Sequence, residues 1–106
     1  MRIAIIEAAY YKEISTALHL GVINTLKEDY GIEASSITTY SVTGAYELPL
    51  VAKWALDAEQ FDGVIALGCV IKGQTDHDVY INQSVFNHFT TLALEYGTPI
   101  INGVLT

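Results

Sequence analysis

The stretch that decides the fold is Val64–Val70, with the sequence VIALGCV, which is continuously apolar. A run of this kind is typical of a central parallel strand that helices cover on both faces. Outward from it in both directions, short apolar runs alternate with helical patterns. This alternation predicts an α/β fold in which connecting helices cross a parallel sheet.

The other predicted strands are Ile3–Ala8, Ser36–Val42 and Ile100–Thr106. The first predicted helix covers about 12–30, because apolar residues recur there at four-residue steps: Ile14, Leu18, Val22 and Leu26. The second helix covers about 48–58, and Gly31 is the expected end of the first. The third helix follows a loop over Lys72–Asp78 and ends before Gly97.

Right-handed crossovers predict the strand order 2-1-3-4, in a flavodoxin-like three-layer α/β/α sandwich. The first helix then covers one face, and the second and third helices cover the other. The third and fourth strands are left bare on the side of the first helix, so a neighbouring subunit or further chain must cover them. We therefore expect a single domain over residues 1–106 that is truncated at its C-terminus.

Composition excludes several classes of partner. The chain has 106 residues, with 12 acidic and 5 basic side chains and a formal charge of −7. Nucleic-acid binders and proteins of anionic membrane surfaces normally carry the opposite charge, so neither partner is expected. No apolar run is long enough to span a bilayer. A single cysteine, Cys69, cannot form an internal disulfide and indicates the cytoplasm.

Ligands of open α/β sheets bind at the carboxyl ends of the strands, near the switch in strand order. The third of the loops there, 71–80, carries the most chemistry. Lys72 offers a charge, and the helix that follows offers unpaired N–H groups to an anion. His77 can move protons near neutral pH. The alternative is a polar loop in which Asp78 caps the helix.

The loops after the first two strands carry further candidates. Glu47 and Tyr46 stand at a helix start and could bind a ligand, although Glu47 as a cap and Tyr46 as rim packing are equally open. Tyr10 could stack on a flat ring, or pack on the surface. The mid-helix histidines His19 and His88 have no partners at metal-ligand spacing and are assigned structural roles. Dinucleotide, P-loop and phospho-receiver motifs are all incomplete in this chain.

Four ordered segments together resemble lumazine synthase, an enzyme family of riboflavin biosynthesis. They are Gly44–Pro49 (GAYELP), Ala66–His77 (ALGCVIKGQTDH), Leu94–Pro99 (LEYGTP) and Gly103–Thr106 (GVLT). The resemblance implies that the protein condenses 5-amino-6-ribitylaminouracil with 3,4-dihydroxy-2-butanone 4-phosphate. The product is 6,7-dimethyl-8-ribityllumazine, and neither a metal nor an organic cofactor is used. A degenerate homologue that binds flavins or pyrimidines without turnover is the alternative.

The resemblance also implies the site residues. His77 matches the proton-transfer histidine, Tyr10 the aromatic that stacks on the pyrimidine, and Glu47 the acceptor of ribityl hydroxyls. The substrate-binding positions implied in all are Tyr10, Ala45, Tyr46, Glu47, Val70, Ile71, Lys72, Gly73, Gln74, Thr75 and Asn102. Val70 and Ile71 would present backbone groups, and Gly73–Thr75 matches the phosphate loop. Pentamers or larger shells, with sites between subunits, are the implied assembly.

Two departures from the family pattern bear on these expectations. Asn102 stands where many relatives have a phenylalanine that reaches into the neighbouring site. Family members also continue past GVLT into further helices, which carry a phosphate-binding arginine and a lysine. Because Lys72 and the phosphate loop would then be the remaining anion site, we expect the phosphate substrate to bind weakly.

Overall fold

A computed structural model describes residues 1–73 and 75–106. Its strands are β1 (Ile3–Ala8), β2 (Ile37–Val42), β3 (Gly63–Cys69) and β4 (Ile100–Leu105). Its α-helices are α1 (Lys12–Tyr30), α2 (Leu48–Ala58) and α3 (His77–Tyr96). Short 3₁₀ turns at Ala34–Ser36 and Ala45–Glu47 precede β2 and α2, and the sequence pattern did not predict them.

Two glycines end the long helices, as the sequence predicted for Gly31. Gly31 and Gly97 have φ angles of 67° and 64°, in the left-handed region that residues with a Cβ rarely adopt. The Gly31 N–H donates to the carbonyl oxygen of Lys27 at 3.1 Å, which satisfies one of the last free carbonyls of α1.

The start of α3 differs from the prediction. The loop was expected to extend to Asp78, but α3 begins at His77. The Asp76 carbonyl oxygen accepts hydrogen bonds from the N–H groups of Val79 (3.1 Å) and Tyr80 (3.4 Å), so the first turn is already formed there. The predicted third strand also shifts by one residue, to Gly63–Cys69.

The sheet is parallel throughout, in the predicted order β2-β1-β3-β4. Ile5 of the central strand β1 pairs with Thr39 on one side and Ile65 on the other. Ile65 in turn pairs with Ile101 of the edge strand β4. Side chains at these four positions therefore share one face of the sheet.

Helices α2 and α3 cover the opposite face and form the main core. Its buried members include Ala4, Ile6, Leu48, Ala52, Val64, Ala66, Val85 and Phe89. Polar groups link the two helices on the outside. The Tyr96 hydroxyl donates to Asp57, and Lys53 Nζ donates to Tyr96 Oη at 2.9 Å and to Asp57 Oδ2 at 3.1 Å.

Helix α1 covers the other face, but in a different position from the one expected. It packs against β3 as well as β1. On this face β2 presents the polar side chains of Thr39 and Ser41, whereas β3 presents Ile65 and Leu67, so apolar burial draws α1 towards β3. As a result Leu67 is only 4% exposed, and the predicted bare region is reduced mainly to β4.

The uncovered part of the sheet is apolar. Ile101 and Leu105 of β4 are 58% and 48% exposed. A groove of about 490 Å³ runs between α1 and the side chains of Ile65 and Ile101. Among the described residues, no helix is long and apolar enough to cross a membrane.

Candidate functional site

Three segments meet at the carboxyl edge of the sheet, where β1, β2 and β3 end. They are the β1 loop (residues 9–11), the β2 turn (residues 44–47) and the β3 loop (residues 70–76, described except for residue 74). The Ala9 N–H donates to the Val42 carbonyl oxygen at 2.9 Å, which extends the β1–β2 pairing into the β1 loop. The β2 turn packs against both β1 and α3, so these segments form one continuous surface.

The β1 loop presents an exposed aromatic ring. Tyr10 is 70% exposed, and its ring stands edge-to-face with that of Tyr11, with the centroids 4.9 Å apart. Such an arrangement orients the ring without enclosing it. Most of the Tyr10 side chain is therefore not packed against the protein, and it is accessible to a planar ligand.

The β2 turn presents a carboxylate. The Glu47 N–H donates to the Gly44 carbonyl oxygen at 3.2 Å, which closes the turn, and Ala45 is buried beneath it. Glu47 occupies the N-cap position of α2, but its side chain makes no capping hydrogen bond, which contradicts the capping alternative. The carboxylate folds back towards Gly44, where an added Cβ would lie 3.1 Å from Glu47 Oε2. The glycine thus leaves room for the carboxylate.

Two predicted site residues line other cavities. The Tyr46 side chain lies along a groove of about 410 Å³ between α2 and α3, beside Leu50 and His88. Asn102 lines a cavity of about 260 Å³ next to Phe86 of α3, and its Oδ1 accepts a hydrogen bond from the Val104 N–H at 3.0 Å.

The β3 loop begins with a buried residue whose donor is already used. The Val70 N–H donates to the Leu105 carbonyl oxygen at 2.8 Å. The expectation that Val70 presents its backbone to a pyrimidine is therefore narrowed to its carbonyl group, because its N–H is already bonded within the sheet. Ile71, the next residue, is exposed.

The remainder of the β3 loop and the start of α3 carry the groups for an anion. Lys72, Gly73, Thr75 and His77 are all exposed, and Gln74 lies outside the described residues. A Cβ added to Gly73 would meet nothing within 4 Å, so the backbone there is open to close approach. The Thr75 hydroxyl accepts from the His77 N–H at 3.4 Å.

The capping alternative for Asp78 is wrong. Asp76 occupies the N-cap position of α3 without a side-chain capping bond, and Asp78 lies in the first turn. Asp78 Oδ1 is buried and has no hydrogen-bond partner among the described residues. The start of α3, with the positive end of its dipole, follows Lys72 by five residues along the chain, and an anion site can combine these two features.

A large cavity lies at the opposite edge of the sheet. It has a volume of about 840 Å³ and is lined by Arg2, Asp57, Glu59, Asp62 and Tyr96 among others. Its carboxylates are already engaged: Glu59 pairs with Arg2, Asp57 pairs with Lys53 of α2, and Asp62 Oδ2 accepts a hydrogen bond from the backbone N–H of Arg2 at 2.7 Å. In open α/β sheets the amino ends of the strands do not carry the ligand, so we do not assign the site here.

Sequence reasoning missed one cluster beside the site. Ser41 Oγ donates to Glu7 Oε1 at 3.0 Å, and His19 Nδ1 lies 3.2 Å from Glu7 Oε2. The only signal in the sequence was a carboxylate in the otherwise apolar strand β1. Within residues 1–73 and 75–106, no three His, Cys, Asp or Glu side chains come together as a metal site.

Comparison with known proteins gives one consistent family. The profile of the 6,7-dimethyl-8-ribityllumazine synthase family matches residues 1–106. Proteins named 6,7-dimethyl-8-ribityllumazine synthase from two Coxiella burnetii strains (CbuG_Q212 and RSA 493 / Nine Mile phase I) are each 40% identical over 105 residues. These alignments cover 99% of this chain and 69% of each relative.

A protein of the same name from Buchnera aphidicola subsp. Acyrthosiphon pisum (strain Tuc7) is 36% identical over 104 residues. This alignment covers 98% of the chain and 65% of the relative. The chain thus spans about two thirds of the length of the curated relatives that it matches.

Proposed function

Because the chain belongs to the 6,7-dimethyl-8-ribityllumazine synthase family, we propose that it catalyses the condensation for which that family is named. The substrates are 5-amino-6-ribitylaminouracil and 3,4-dihydroxy-2-butanone 4-phosphate. The amine of the pyrimidine forms an imine with the ketone and releases water, phosphate is eliminated, and ring closure with loss of a second water gives the lumazine. The protein is thus a transferase of riboflavin biosynthesis, which the names of its relatives favour over an inactive homologue.

The ribitylated pyrimidine binds between the β1 loop and the β2 turn. The exposed Tyr10 ring stacks on the pyrimidine, and the Glu47 carboxylate accepts hydrogen bonds from the ribityl hydroxyls. The Val70 carbonyl and the Ile71 backbone face the edge of the pyrimidine. The buried Ala45 fixes the turn from beneath, and Tyr46 borders the ribityl chain on the outer side.

The butanone phosphate binds at the β3 loop. Lys72 supplies the charge, Gly73 allows close approach of the backbone, and the start of α3 adds its positive dipole. Gln74 and Thr75 complete the proposed contacts of this loop, and Asn102, which lines a separate cavity, would contribute to the site of a neighbouring subunit. His77, at the first position of α3, transfers protons during imine formation and phosphate loss. Holding both reactants in contact lowers the barrier further.

One observation carries this proposal: the loops after β1, β2 and β3, to which the resemblance assigns substrate binding, lie at the carboxyl edge of the sheet. Open α/β sheets bind their ligands at this edge. The exposed groups Tyr10, Glu47, Lys72 and His77 reach solvent there from segments that follow β1, β2 and β3. Stacking surface, carboxylate, cation and imidazole are the groups that the two substrates require.

The test is formation of the lumazine by the purified chain, followed by absorbance with both substrates present. A reaction without protein measures the background, because the condensation also proceeds slowly by itself. A rate well above that background supports the proposed function. A rate equal to the background would contradict it and would leave the inactive homologue as the better description.

We also propose that the chain self-associates. The uncovered apolar face of β4 favours assembly of the chain into pentamers or larger shells, since an exposed sheet face of this kind is costly in water. Light scattering coupled to size-exclusion chromatography measures the mass directly, and a monomer at micromolar concentration would contradict assembly.

The single thiol, Cys69, fits the reducing cytoplasm, where we place the protein.

A further inference from the structure

A charged side chain near the end of the central strand forms a cluster with a hydroxyl and an imidazole. The Glu7 side chain is only 15% exposed, although it follows Ile3–Ile6 in β1. It contacts Ser41 of β2 at 3.0 Å and His19 of α1 at 3.2 Å. One carboxylate therefore links three separate elements of the fold.

The two contacts are of different kinds. The Ser41 hydroxyl donates a hydrogen bond to Glu7 Oε1. The His19 Nδ1 atom is enclosed, and it lies close to Glu7 Oε2 without the geometry of a hydrogen bond, so this contact is one of packing. Because Nδ1 is inaccessible to a ligand, the cluster does not offer a metal site. A largely buried carboxylate is costly unless it is paired, so these partners explain how β1 tolerates it.

The position of the cluster gives it a functional meaning. Glu7 and Ser41 face each other in the β1–β2 register, and one more pair, Ala8 with Val42, completes it. Two residues beyond that pair, β1 leads to Tyr10 and β2 leads to Gly44 of the β2 turn. Among the described residues, the Glu7–Ser41 hydrogen bond is therefore the last side-chain hydrogen bond between the strands that carry the two halves of the proposed pyrimidine site.

We propose that Glu7, held by Ser41 and His19, is a positioning residue that fixes the spacing between Tyr10 and the β2 turn. This role rests on the proposed function, because it concerns the site for the ribitylated pyrimidine. It acts on that substrate alone, since the phosphate site lies on the β3 loop. Loss of the link leaves the fold intact and lets the ends of β1 and β2 separate.

The first readout is amide hydrogen exchange in the ligand-free protein. The Ala9 N–H, bonded to the Val42 carbonyl oxygen, reports whether the strand ends stay paired. We expect its exchange to rise about tenfold in Ser41→Ala, the loss of roughly one hydrogen bond. The matched control is Thr39→Ala, on the same face of the same strand, which should leave Ala9 exchange unchanged.

The second readout is calorimetric affinity for 5-amino-6-ribitylaminouracil, with inorganic phosphate as the comparison ligand. We expect Ser41→Ala and Glu7→Val to weaken the pyrimidine about tenfold and to leave phosphate unchanged. Glu7→Gln keeps an acceptor oxygen for Ser41 and should restore most of the affinity. A general loss of folded protein would instead lower the binding of both ligands together.

The outcomes separate this proposal from the proposed function. Unchanged Ala9 exchange in Ser41→Ala, or raised exchange with unchanged pyrimidine affinity, would refute the positioning role alone. A wild-type chain that does not bind the pyrimidine would refute the proposed function and the positioning role with it. Raised exchange together with selective loss of pyrimidine affinity, restored by Glu7→Gln, supports both.

Discussion

The two edges of the sheet use their charged groups differently. At the amino edge, Arg2 pairs with Glu59 and Asp62, and Lys53 pairs with Asp57. At the carboxyl edge, the side chains of Glu47, Lys72 and His77 form no ion pair within the described part of the chain. A larger cavity lies at the amino edge, yet two of its carboxylates are paired with cations and the third accepts a hydrogen bond from a backbone N–H.

We therefore place the proposed site by its unpaired charged groups rather than by cavity volume. Paired charges at a surface stabilise a fold modestly and have little affinity left for a ligand. Exposed groups without partners contribute little to stability, so their presence on three adjacent segments indicates another role. We therefore expect substitutions at the carboxyl edge to change activity, and those at the amino edge to change stability.

The largest expected effect is that of His77→Ala. Removal of the proton-transfer group should lower kcat for lumazine formation by at least about a hundredfold, the lower range for general acid–base catalysis. The matched control is His88→Ala, which removes an exposed imidazole from the same helix and should leave kcat unchanged. Equal losses in the two variants would contradict the role of His77.

The next effect is that of Lys72→Met on the phosphate substrate. Loss of a charged hydrogen-bonding partner should raise KM for the butanone phosphate about tenfold to hundredfold, with KM for the pyrimidine unchanged. Lys27→Met removes an exposed lysine from the last turn of α1, near the amino edge, and should change neither value. An unaltered KM in Lys72→Met would show that the phosphate binds elsewhere.

A smaller effect is expected from Glu47→Gln. The neutral amide still accepts a hydrogen bond but more weakly, so KM for the ribitylated pyrimidine should rise about tenfold. The same change at the amino edge, Glu59→Gln, breaks the pair with Arg2 and should leave KM unchanged. If Glu59→Gln weakened the pyrimidine as much as Glu47→Gln, the distinction between the two edges would fail.

Most of the fold could be predicted, because the spacing of apolar residues and the lengths of the connections between strands are visible in the local sequence. The strand order, the helix ends at glycine and the buried strand β3 all follow from those rules. The position of α1 did not, because it depends on which neighbouring strand offers apolar side chains. The polar Thr39 and Ser41 of β2 move α1 towards β3, and this competition appears only when the register is known.

For the proposed site, the sequence suggests positions but does not show which groups at those positions are available to a ligand. The sequence placed Val70 near the ligand, whereas pairing with Leu105 uses its N–H. It could not show that Glu47 makes no capping bond, or that Tyr46 lies along the α2–α3 groove. Hydrogen bonds between distant residues decide which groups are available to a substrate, and no local pattern reports them.

The last prediction concerns the pairing that links α2 and α3. The Tyr96 hydroxyl and then Lys53 hold the pKa of Asp57 below its ordinary value, and Tyr96 and then Asp57 raise the pKa of Lys53. Tyr96→Phe removes the shared hydroxyl, so we expect a fall in Tm of about 2 to 4 °C with unchanged activity. Tyr30→Phe, at the exposed end of α1, should change neither value.

The pH dependence of this difference tests the pairing itself. A lowered carboxyl pKa stabilises the fold above the ordinary value of 3.8, and this contribution is lost as the pH falls below it. A raised ammonium pKa stabilises below the ordinary value of 10.5, and this contribution is lost as the pH rises beyond it. The Tm difference between wild type and Tyr96→Phe should therefore be largest between these limits and shrink in acid. A difference that stays constant from pH 7 to pH 3 would show that the Tyr96 hydroxyl stabilises the fold independently of the charge on Asp57, and would contradict the charge pairing.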